Sequence, residues 1–269
     1  MSDKYDMVLY NRRELGDIQN VDDEDYVKMF RTDLYQILPW RYVHSIIQNR
    51  RLRFNNISKT WEDPFELFLY KEIVDVEGRP LGKSMTSWAQ RYYGQCWSMS
   101  RDTDAMWRIY SQDKHSVRIK TNFHKMMEIM NETRGIMWTA PLFGKVIYRS
   151  KEEMGEWLKE VVEKGWGYFM HYLSDSLFIK RPEFQHENEV RFLIGQTYDH
   201  EILDYFEMEI PRDDFIEEIA LDPRLTQEEY QDFAKEVKAV AGEIDVCQSD
   251  LYKFDAIHLS LKDGPFVIR

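Results

Sequence analysis

The stretch HENEVRFLI (residues 186–194) sets two acids, Glu187 and Glu189, immediately ahead of an apolar run. Side chains of a β-strand alternate between its two faces. A strand that begins by Glu187 therefore has Glu187, Glu189 and Arg191 on one face and apolar residues on the other. The apolar face packs into a core, so the charged face lines a cleft, forms an ion pair or meets solvent. An exposed pair between Glu189 and Arg191 contributes only about 0–1 kcal/mol and requires no function.

Further runs of β-branched and aromatic residues predict a sheet around this strand. They are RLRFNN (51–56), GQCWSMS (94–100), SVRIKT (116–121), GKVIYR (144–149), FEMEI (206–210), EEIALD (217–222) and EIDVC (243–247). Helical spacing is found at residues 21–38, 104–112, 151–176 and 226–240, and Thr226 with Glu229 forms a capping box. In EDPFE (62–66), Asp63 is expected to cap the turn before Pro64. We predict an α+β fold with an N-terminal helical extension over residues 1–37 and one domain over residues 38–269.

The composition limits the classes of function. The 269 residues carry a net charge of -12, which argues against a broad grip on nucleic-acid phosphates. The arginines of QNRRLRF (48–54) are interpreted as a solvated strand edge. The two cysteines, Cys96 and Cys247, lie outside any zinc motif, so no metal site is predicted. The chain has no apolar run of membrane-spanning length and no signal peptide, which predicts a cytoplasmic protein.

Common catalytic motifs are absent from the sequence. It contains no P-loop, no HExxH and no GxSxG, and KGWGYFM (164–170) lacks the third glycine of a dinucleotide-binding fingerprint. These absences disfavour a P-loop enzyme, a Rossmann enzyme and a zinc hydrolase.

Three short motifs remain, in a fixed order. LPWRYVHSI (38–46) carries Arg41, QCWSMSRD (95–102) carries Ser98 and Ser100, and Glu187-Asn188-Glu189 forms a Glu-x-Glu. This order resembles the Arg–Ser–Glu signature of mono-ADP-ribosyltransferases. The serine motif reads Ser-Met-Ser where the family typically has Ser-Thr-Ser. The first motif falls on Arg41 or on His44, since some branches of the family use histidine.

A second resemblance covers residues 38–250. The chain is similar to the uncharacterised bacterial domain-of-unknown-function family 2971. The matching pieces are WRYVHSIIQNRRLRFNN with EDPFE, CWSMSRDTDAMWRIYSQDKHSVRI, LFIKRPEFQHENEVRFLI, IEEIALDPR and DVCQSD. Together the two resemblances imply an ADP-ribosyltransferase-like split antiparallel β-sheet core with flanking helices, and NAD as the cofactor.

The resemblance to transferases assigns a role to each candidate residue. Glu189 stabilises the oxocarbenium-like transition state, and Glu187 orients or deprotonates the acceptor nucleophile. Two close carboxylates repel, so the pKa of one is expected to rise. Arg41, or His44 in its place, would hold the pyrophosphate or ribose of NAD. Ser98 would complete the NAD site by a hydrogen bond that orients Glu189, and Ser100 would support the strand. Trp107 or Tyr110 would stack on nicotinamide. Both aromatics also fit ordinary helix packing.

The function predicted is an NAD-dependent ADP-ribosyltransferase of toxin or phage-defence type. Its partners would be a macromolecular acceptor, protein or nucleic acid, and an antitoxin or inhibitor protein. The alternative is a non-catalytic module that binds a nucleotide or a partner in a defence or toxin–antitoxin system. A metal-dependent nuclease built on Glu187 and Glu189 ranks last, because it lacks the additional acidic and lysine spacing.

Overall fold

The computed structural model describes residues 31–71, 77–79, 85–132, 141–164, 172–197, 200–261 and 264–268. Most of the predicted N-terminal extension lies outside these residues. In the described part of the chain, no helix is long and apolar enough to cross a membrane.

A nine-stranded sheet forms the centre of the fold, as the alternating runs predict. The strands are β1 Asp33–Pro39, β2 Arg51–Asn56, β3 Tyr92–Ser98, β4 Ser116–Asn122, β5 Leu142–Lys145, β8 Glu189–Gly195, β9 Tyr205–Glu209, β10 Glu218–Leu221 and β11 Asp245–Gln248. Their order in the sheet is β11-β10-β4-β1-β3-β2-β9, and β8 pairs with both β3 and β5. All pairs in this sheet are antiparallel except β10 with β11, which confirms the α+β class.

Strand β3 is the point at which the sheet divides. It pairs with β8 along its whole length, from Tyr92↔Gly195 to Ser98↔Glu189. Its other edge is shared: β1 pairs at Ser98, and β2 pairs at Tyr93 and Gly94. Since β1 and β2 diverge there, space opens beside the Ser98 end of β3.

The helices and two small sheets surround this centre. The small sheets pair β6 Ile147–Tyr148 with β7 Ile179–Lys180, and β12 Ile257–Leu261 with β13 Gly264–Ile268. The helices are α1 Trp40–Asn49, α2 Ile57–Thr60, α3 Thr86–Ala89, α4 Asp104–Tyr110, α5 Phe123–Glu132, α6 Lys151–Lys164 and α7 Gln227–Ala241, with 3-10 helices at Phe68–Tyr70 and Pro182–Glu187. Residues 172–176 are also helical.

The helix predicted over residues 21–38 is wrong in its last part. Asp33–Pro39 forms β1, which pairs with β4 at every position. The gain from a fully paired central strand overrides the helical spacing of a short segment. The boundary predicted between residues 37 and 38 therefore cuts through a strand, and the domain includes residues from Asp33 onward.

Two hydrophobic clusters hold the helices to the sheet. The larger one packs α1, α5 and α7 against one face, with Leu34, Phe192 and Val237 among its fully buried members. The smaller cluster joins α6 and residues 172–178 to α2 and β8. Strand β8 is buried on both faces, so its charged face lies inside the protein.

The arginine-rich stretch near residue 50 is solvated, as interpreted, but it lies on an exposed face of β2 and not at an edge of the sheet, because β2 stands between β3 and β9. Arg51 and Arg53 point to solvent from β2. Their register partners on β9 are Glu209 and Glu207, so each arginine stands directly opposite a glutamate of the neighbouring strand. Such cross-strand pairs of opposite charge stabilise a sheet without any ligand.

A Gly94→Ala substitution is expected to destabilise the fold by about 1–3 kcal/mol through overpacking. A Cβ atom at Gly94 would lie 2.6 Å from Leu193 Cδ2 and 3.2 Å from Ile57 Cγ2. Gly155→Ala in α6 is the matched control, because that Cβ would meet nothing within 4 Å and helix propensity should stabilise the variant. Urea denaturation of both variants measures the difference, and equal midpoints would contradict tight packing at Gly94.

The stability of the protein should depend on Asp175 near neutral pH. Burial raises the pKa of Asp175 to about 7, and within the described residues its Oδ1 has no hydrogen-bond partner. The protonated group contributes its full stability below its ordinary pKa of 3.8, and this contribution is lost as pH rises from there to about 7. We expect Asp175→Asn to leave the melting temperature unchanged below pH 3.8, to raise it increasingly between 3.8 and about 7, and to raise it by a constant amount at higher pH. A pH series of melting curves checks the sign, and a shift that is equal at all pH values would refute the cause.

Candidate active-site cleft

A cleft of about 710 Å³ lies where the sheet divides. One wall is formed by β1 and β3, and α4 contributes Met106, Ile109 and Tyr110. The segments at residues 60–66 and 180–189 complete the lining, and we call the second of them the floor. The predicted residues Ser98, Glu187 and Glu189 all line this cleft. The structure therefore brings the serine and Glu-x-Glu motifs together.

The Glu-x-Glu enters the cleft through a turn as well as a strand. Glu187 ends the 3-10 helix, Asn188 has a left-handed φ of 43°, and Glu189 begins β8. Glu189 and Arg191 share a face of the strand, as predicted. Glu187 reaches the same space from the 3-10 helix, so the prediction that it belongs to the strand is wrong.

Five buried charged groups meet at the floor; we call them the floor cluster: Glu66, Lys180, Glu187, Glu189 and Arg191. Lys180 Nζ lies 2.5 Å from Glu187 Oε2, 3.2 Å from Glu189 Oε2 and 3.6 Å from Glu66 Oε1. Arg191 Nε donates to Glu189 Oε1 at 2.8 Å, and Nη2 pairs with Glu66. Because each cation touches at least two carboxylates, the cluster is held as one unit.

The floor cluster also fixes the ionisation of its members. Burial by itself would raise the pKa of Glu189. The charge and hydrogen bond of Arg191 and the charge of Lys180 outweigh burial, so the pKa of Glu189 is lowered to about 2. Burial raises the pKa of Glu66, against the pull of Arg191 and Lys180. Burial lowers the pKa of Lys180, but the charges of Glu189, Glu66 and Glu187 reverse this and raise it. Glu189 is therefore a carboxylate at neutral pH, and the shift of its pKa is opposite in direction to a rise caused by repulsion from Glu187. The carboxyl whose pKa rises is Glu66, which lies outside the Glu-x-Glu and is shifted by burial.

Hydroxyl and thiol groups surround the two acids. Tyr110 Oη donates to Glu187 Oε1 at 3.3 Å, and Tyr148 Oη accepts from the Glu189 backbone N–H at 3.0 Å. Burial raises the pKa of Tyr148 to about 12, and burial with the Glu187 charge raises that of Tyr110. Burial and Glu189 raise the pKa of the Cys96 thiol well above its usual value, which keeps it protonated and unreactive.

The two serines support the backbone of the floor. Ser98 is the register partner of Glu189, but its Oγ donates to the Glu187 carbonyl at 2.7 Å. The predicted hydrogen bond to the Glu189 side chain is wrong, because the Ser98 hydroxyl has a single hydrogen and donates it to the Glu187 carbonyl. Ser100 donates its backbone N–H to Ser98 Oγ and accepts from Asn188 Nδ2. Ser98 and Ser100 thus fix the turn between the two acids.

The remaining predicted residues lie away from the cleft. Arg41 and His44 belong to α1, where Arg41 is exposed beside Tyr42 and His44 packs on Trp40. The strand that precedes them, β1, is the element that lines the cleft. Trp107 is fully buried and donates its Nε1–H to Asp102, so it has no surface for a ligand. The predictions that Arg41, His44 and Trp107 bind a cofactor in this cleft are therefore wrong. Of the two aromatic residues predicted to stack on a ligand, only Tyr110 lines the cleft.

Sequence reasoning missed Glu66, Lys180 and Arg181. All three lie in stretches that carry the family resemblance, EDPFE and LFIKRPEFQ, but single charged residues have no spacing that marks a site. Asp63 accepts from the Phe65 backbone N–H at 3.1 Å, which confirms the predicted turn, and it also pairs with Arg181. In the part of the chain that the structure describes, no group of three His, Cys, Asp or Glu residues is placed to hold a metal ion.

The comparisons with known proteins agree with the resemblance to family 2971. A family model described as "Protein of unknown function (DUF2971)" matches residues 106–192, which include most of α4, all of β4 and the start of β8. The matched range contains Tyr110, Lys180, Glu187 and Glu189. No curated protein sequence matches the chain.

Among solved structures, three complexes of DarT from Thermus sp. 2.9 match. They contain carba-NAD+, NAD+ and ADP-ribosylated ssDNA. Their identity to this chain is 12–13%, and the TM-score is 0.36 in each case. The alignments cover 83% of this chain and 97–98% of the DarT chain.

Proposed function

We propose that this protein is an NAD-dependent ADP-ribosyltransferase, and that the cleft is its active site. The observation that carries the proposal is the floor cluster, which keeps Glu189 ionised at the base of a cleft. Three carboxyl groups and two cations meet there, and the lowered pKa of Glu189 keeps that group charged at neutral pH. NAD presents a cationic pyridinium ring, and its ribose gains positive charge when the ring leaves. The charged carboxylate of Glu189 suits both states.

The proposed reaction breaks the bond between the ribose C1′ atom and the nicotinamide nitrogen. Nicotinamide leaves with the bonding electron pair, and the ribose becomes an oxocarbenium-like cation. A fixed carboxylate beside this cation stabilises it more than it stabilises neutral ribose, which is the condition for catalysis. Glu189 is held by Arg191 and Lys180 and needs no reorganisation to act in this way.

Glu187 is the candidate for the acceptor side of the reaction. Its Oε2 bonds Lys180, while its Oε1 faces Tyr110, which is 42% exposed at the cleft wall. A carboxylate in this position can accept the proton of a hydroxyl, amine or amide nucleophile as the new C1′ bond forms. We therefore assign Glu187 as the acceptor-orienting base.

The size and lining of the cleft suit a dinucleotide. Ligand pockets usually measure about 300–1,000 Å³ and combine aromatic walls with a few polar groups. The aromatic side chains here include Tyr35, Trp61, Tyr110 and Phe184. Two of the Thermus DarT structures hold NAD+ or carba-NAD+, which is a property of that protein.

The acceptor is proposed to be a macromolecule, protein or nucleic acid. One Thermus DarT structure is a complex with ADP-ribosylated ssDNA. For this chain, a toxin or phage-defence role in the cytoplasm, with an antitoxin or inhibitor as regulator, forms part of the same proposal.

A second candidate function is a non-catalytic module that binds a nucleotide or a partner. The observation that favours it is the saturation of Glu189, whose two carboxylate oxygens are already bonded by Arg191 and Lys180. In such a module the floor cluster is structural, and the cleft grips a ligand without breaking a bond.

Nicotinamide release from NAD separates the two candidates. The purified protein is incubated with NAD, alone and with a lysate that supplies acceptors, and free nicotinamide is measured by chromatography. We expect release in both conditions, faster with the lysate. Binding of NAD without release in either condition would reject the transferase and support the binding module.

A further inference from the structure

Arg181 is a cleft residue that the floor cluster does not use. It follows Lys180 directly, at the start of the 3-10 helix Pro182–Glu187, and it lines the cleft. Its Nε donates to Asp63 Oδ2 at 3.0 Å, and the Asp63 side chain is only 2% exposed. A buried carboxylate that holds Nε fixes the plane of the guanidinium and leaves the two Nη groups at its outer end.

Two aromatic rings fix the same side chain from its sides. The guanidinium carbon of Arg181 lies 4.9 Å from the ring centre of Phe65 and 5.5 Å from that of Phe184. Lys151 Nζ also lies 5.2 Å from the centre of the Phe65 ring. Arg181 is thus held in place before any ligand binds, which lowers the entropy lost on binding.

Lys180 and Arg181 differ in their capacity for an anion. They are the lysine and arginine side chains that line the cleft within the described residues. Lys180 is bound to Glu66, Glu187 and Glu189, so an added anion would meet three carboxylates. The Nη1 atom of Arg181 has Glu183 at 3.8 Å, and that glutamate is 65% exposed and solvated. An anion can replace it at little cost.

We propose that Arg181 is the anion-binding residue of the cleft and that it takes the diphosphate of a nucleoside-diphosphate ligand. The inference rests on the proposed function, since it names the group that holds the diphosphate of NAD. It gives Arg181 the task that sequence reasoning had given to Arg41. Arg181 then binds the diphosphate of NAD, and the Glu189 carboxylate lies beside the ribose that carries the pyridinium ring.

The test uses ADP as the probe, because ADP contains the diphosphate and lacks nicotinamide. Isothermal calorimetry compares wild type with Arg181→Gln. A lost charge-assisted, two-pronged contact should weaken ADP binding by about tenfold to a hundredfold. Adenosine, which lacks the diphosphate, should bind equally to both proteins. Arg53→Gln is the matched control, because Arg53 also stacks on an aromatic ring, Tyr205, but lies on β2 outside the cleft.

A measurement on the wild-type protein guards against a variant that folds poorly. Phenylglyoxal modifies accessible arginines, and peptide mass spectrometry reports each position. We expect ADP to protect Arg181 and to leave Arg53 unprotected. An unchanged ADP affinity in Arg181→Gln, or equal modification of Arg181 with and without ADP, would overturn the proposal.

The outcome is distinguishable from failure of the proposed transferase activity. If ADP binding depends on Arg181 but no nicotinamide is released, the anion site stands and the cleft belongs to a binding module. If nicotinamide is released but ADP binding is independent of Arg181, the transferase stands and the anion site is wrong.

Discussion

A Glu189→Gln variant is expected to release nicotinamide from NAD on the order of 10²–10³ times more slowly than wild type. The glutamine keeps the shape of the side chain but removes the negative charge that we propose to stabilise the ribosyl cation. The Glu189 pKa of about 2 means that wild type carries this charge throughout the neutral range. The loss should therefore appear in kcat and should be constant across neutral pH.

Loss of the charge also disturbs the floor cluster, so the variant needs a matched control. Asp102→Asn removes a carboxylate from another buried arginine, Arg118, at a position that does not line the cleft. Both variants are assayed below their melting temperatures. If Asp102→Asn loses as much activity as Glu189→Gln, the effect is one of stability. If Glu189→Gln retains wild-type release, the active carboxylate is another one, and Glu187→Gln is the next variant.

An Arg191→Met variant is expected to lose about 3–5 kcal/mol of unfolding free energy, because it breaks a fully buried ion pair from one side. Arg191 is 0% exposed, bonds Glu66, Glu189 and the Leu177 carbonyl, and stacks on Trp61 at 4.0 Å. Without the guanidinium, Lys180 alone balances the buried carboxylates. Urea denaturation with linear extrapolation measures the loss.

The pH dependence of this loss identifies its cause. In wild type the stability contributed by ionised Glu189 is present above its ordinary pKa of 4.5 and is lost as pH falls through about 2. In Arg191→Met the buried acids are stabilised by protonation, so the penalty should shrink as pH falls toward 4.5. Arg108→Met is the control, since its pair with Asp104 is exposed and contributes about 0–1 kcal/mol. A penalty equal to that of Arg108→Met would show that the buried cluster adds no stability.

The elements that depend on local pattern could be predicted from the amino-acid sequence. The alternating runs predicted β3, β8 and most other strands, and the capping box at Thr226 and Glu229 is formed as predicted. The order of the motifs also predicted that the Glu-x-Glu and Ser98 belong to one site, and both line the cleft. These features follow from the period of the side chains and from local hydrogen bonds, which neighbouring residues fix on their own.

The parts of the fold and of the cleft that depend on residues distant in the chain could not be predicted in this way. Asp33–Pro39 is a strand because β4 pairs with it, although its spacing is also compatible with a helix. The floor cluster joins Glu66 to Arg191 across 125 positions of the chain. No local pattern distinguishes Lys180 from other lysines or Arg181 from Arg41. What distinguishes them is the set of carboxylates that folding brings beside them, Asp63 for Arg181 and three glutamates for Lys180. The sequence thus identified the two acids at the mouth of β8, and the fold determined which cations control them.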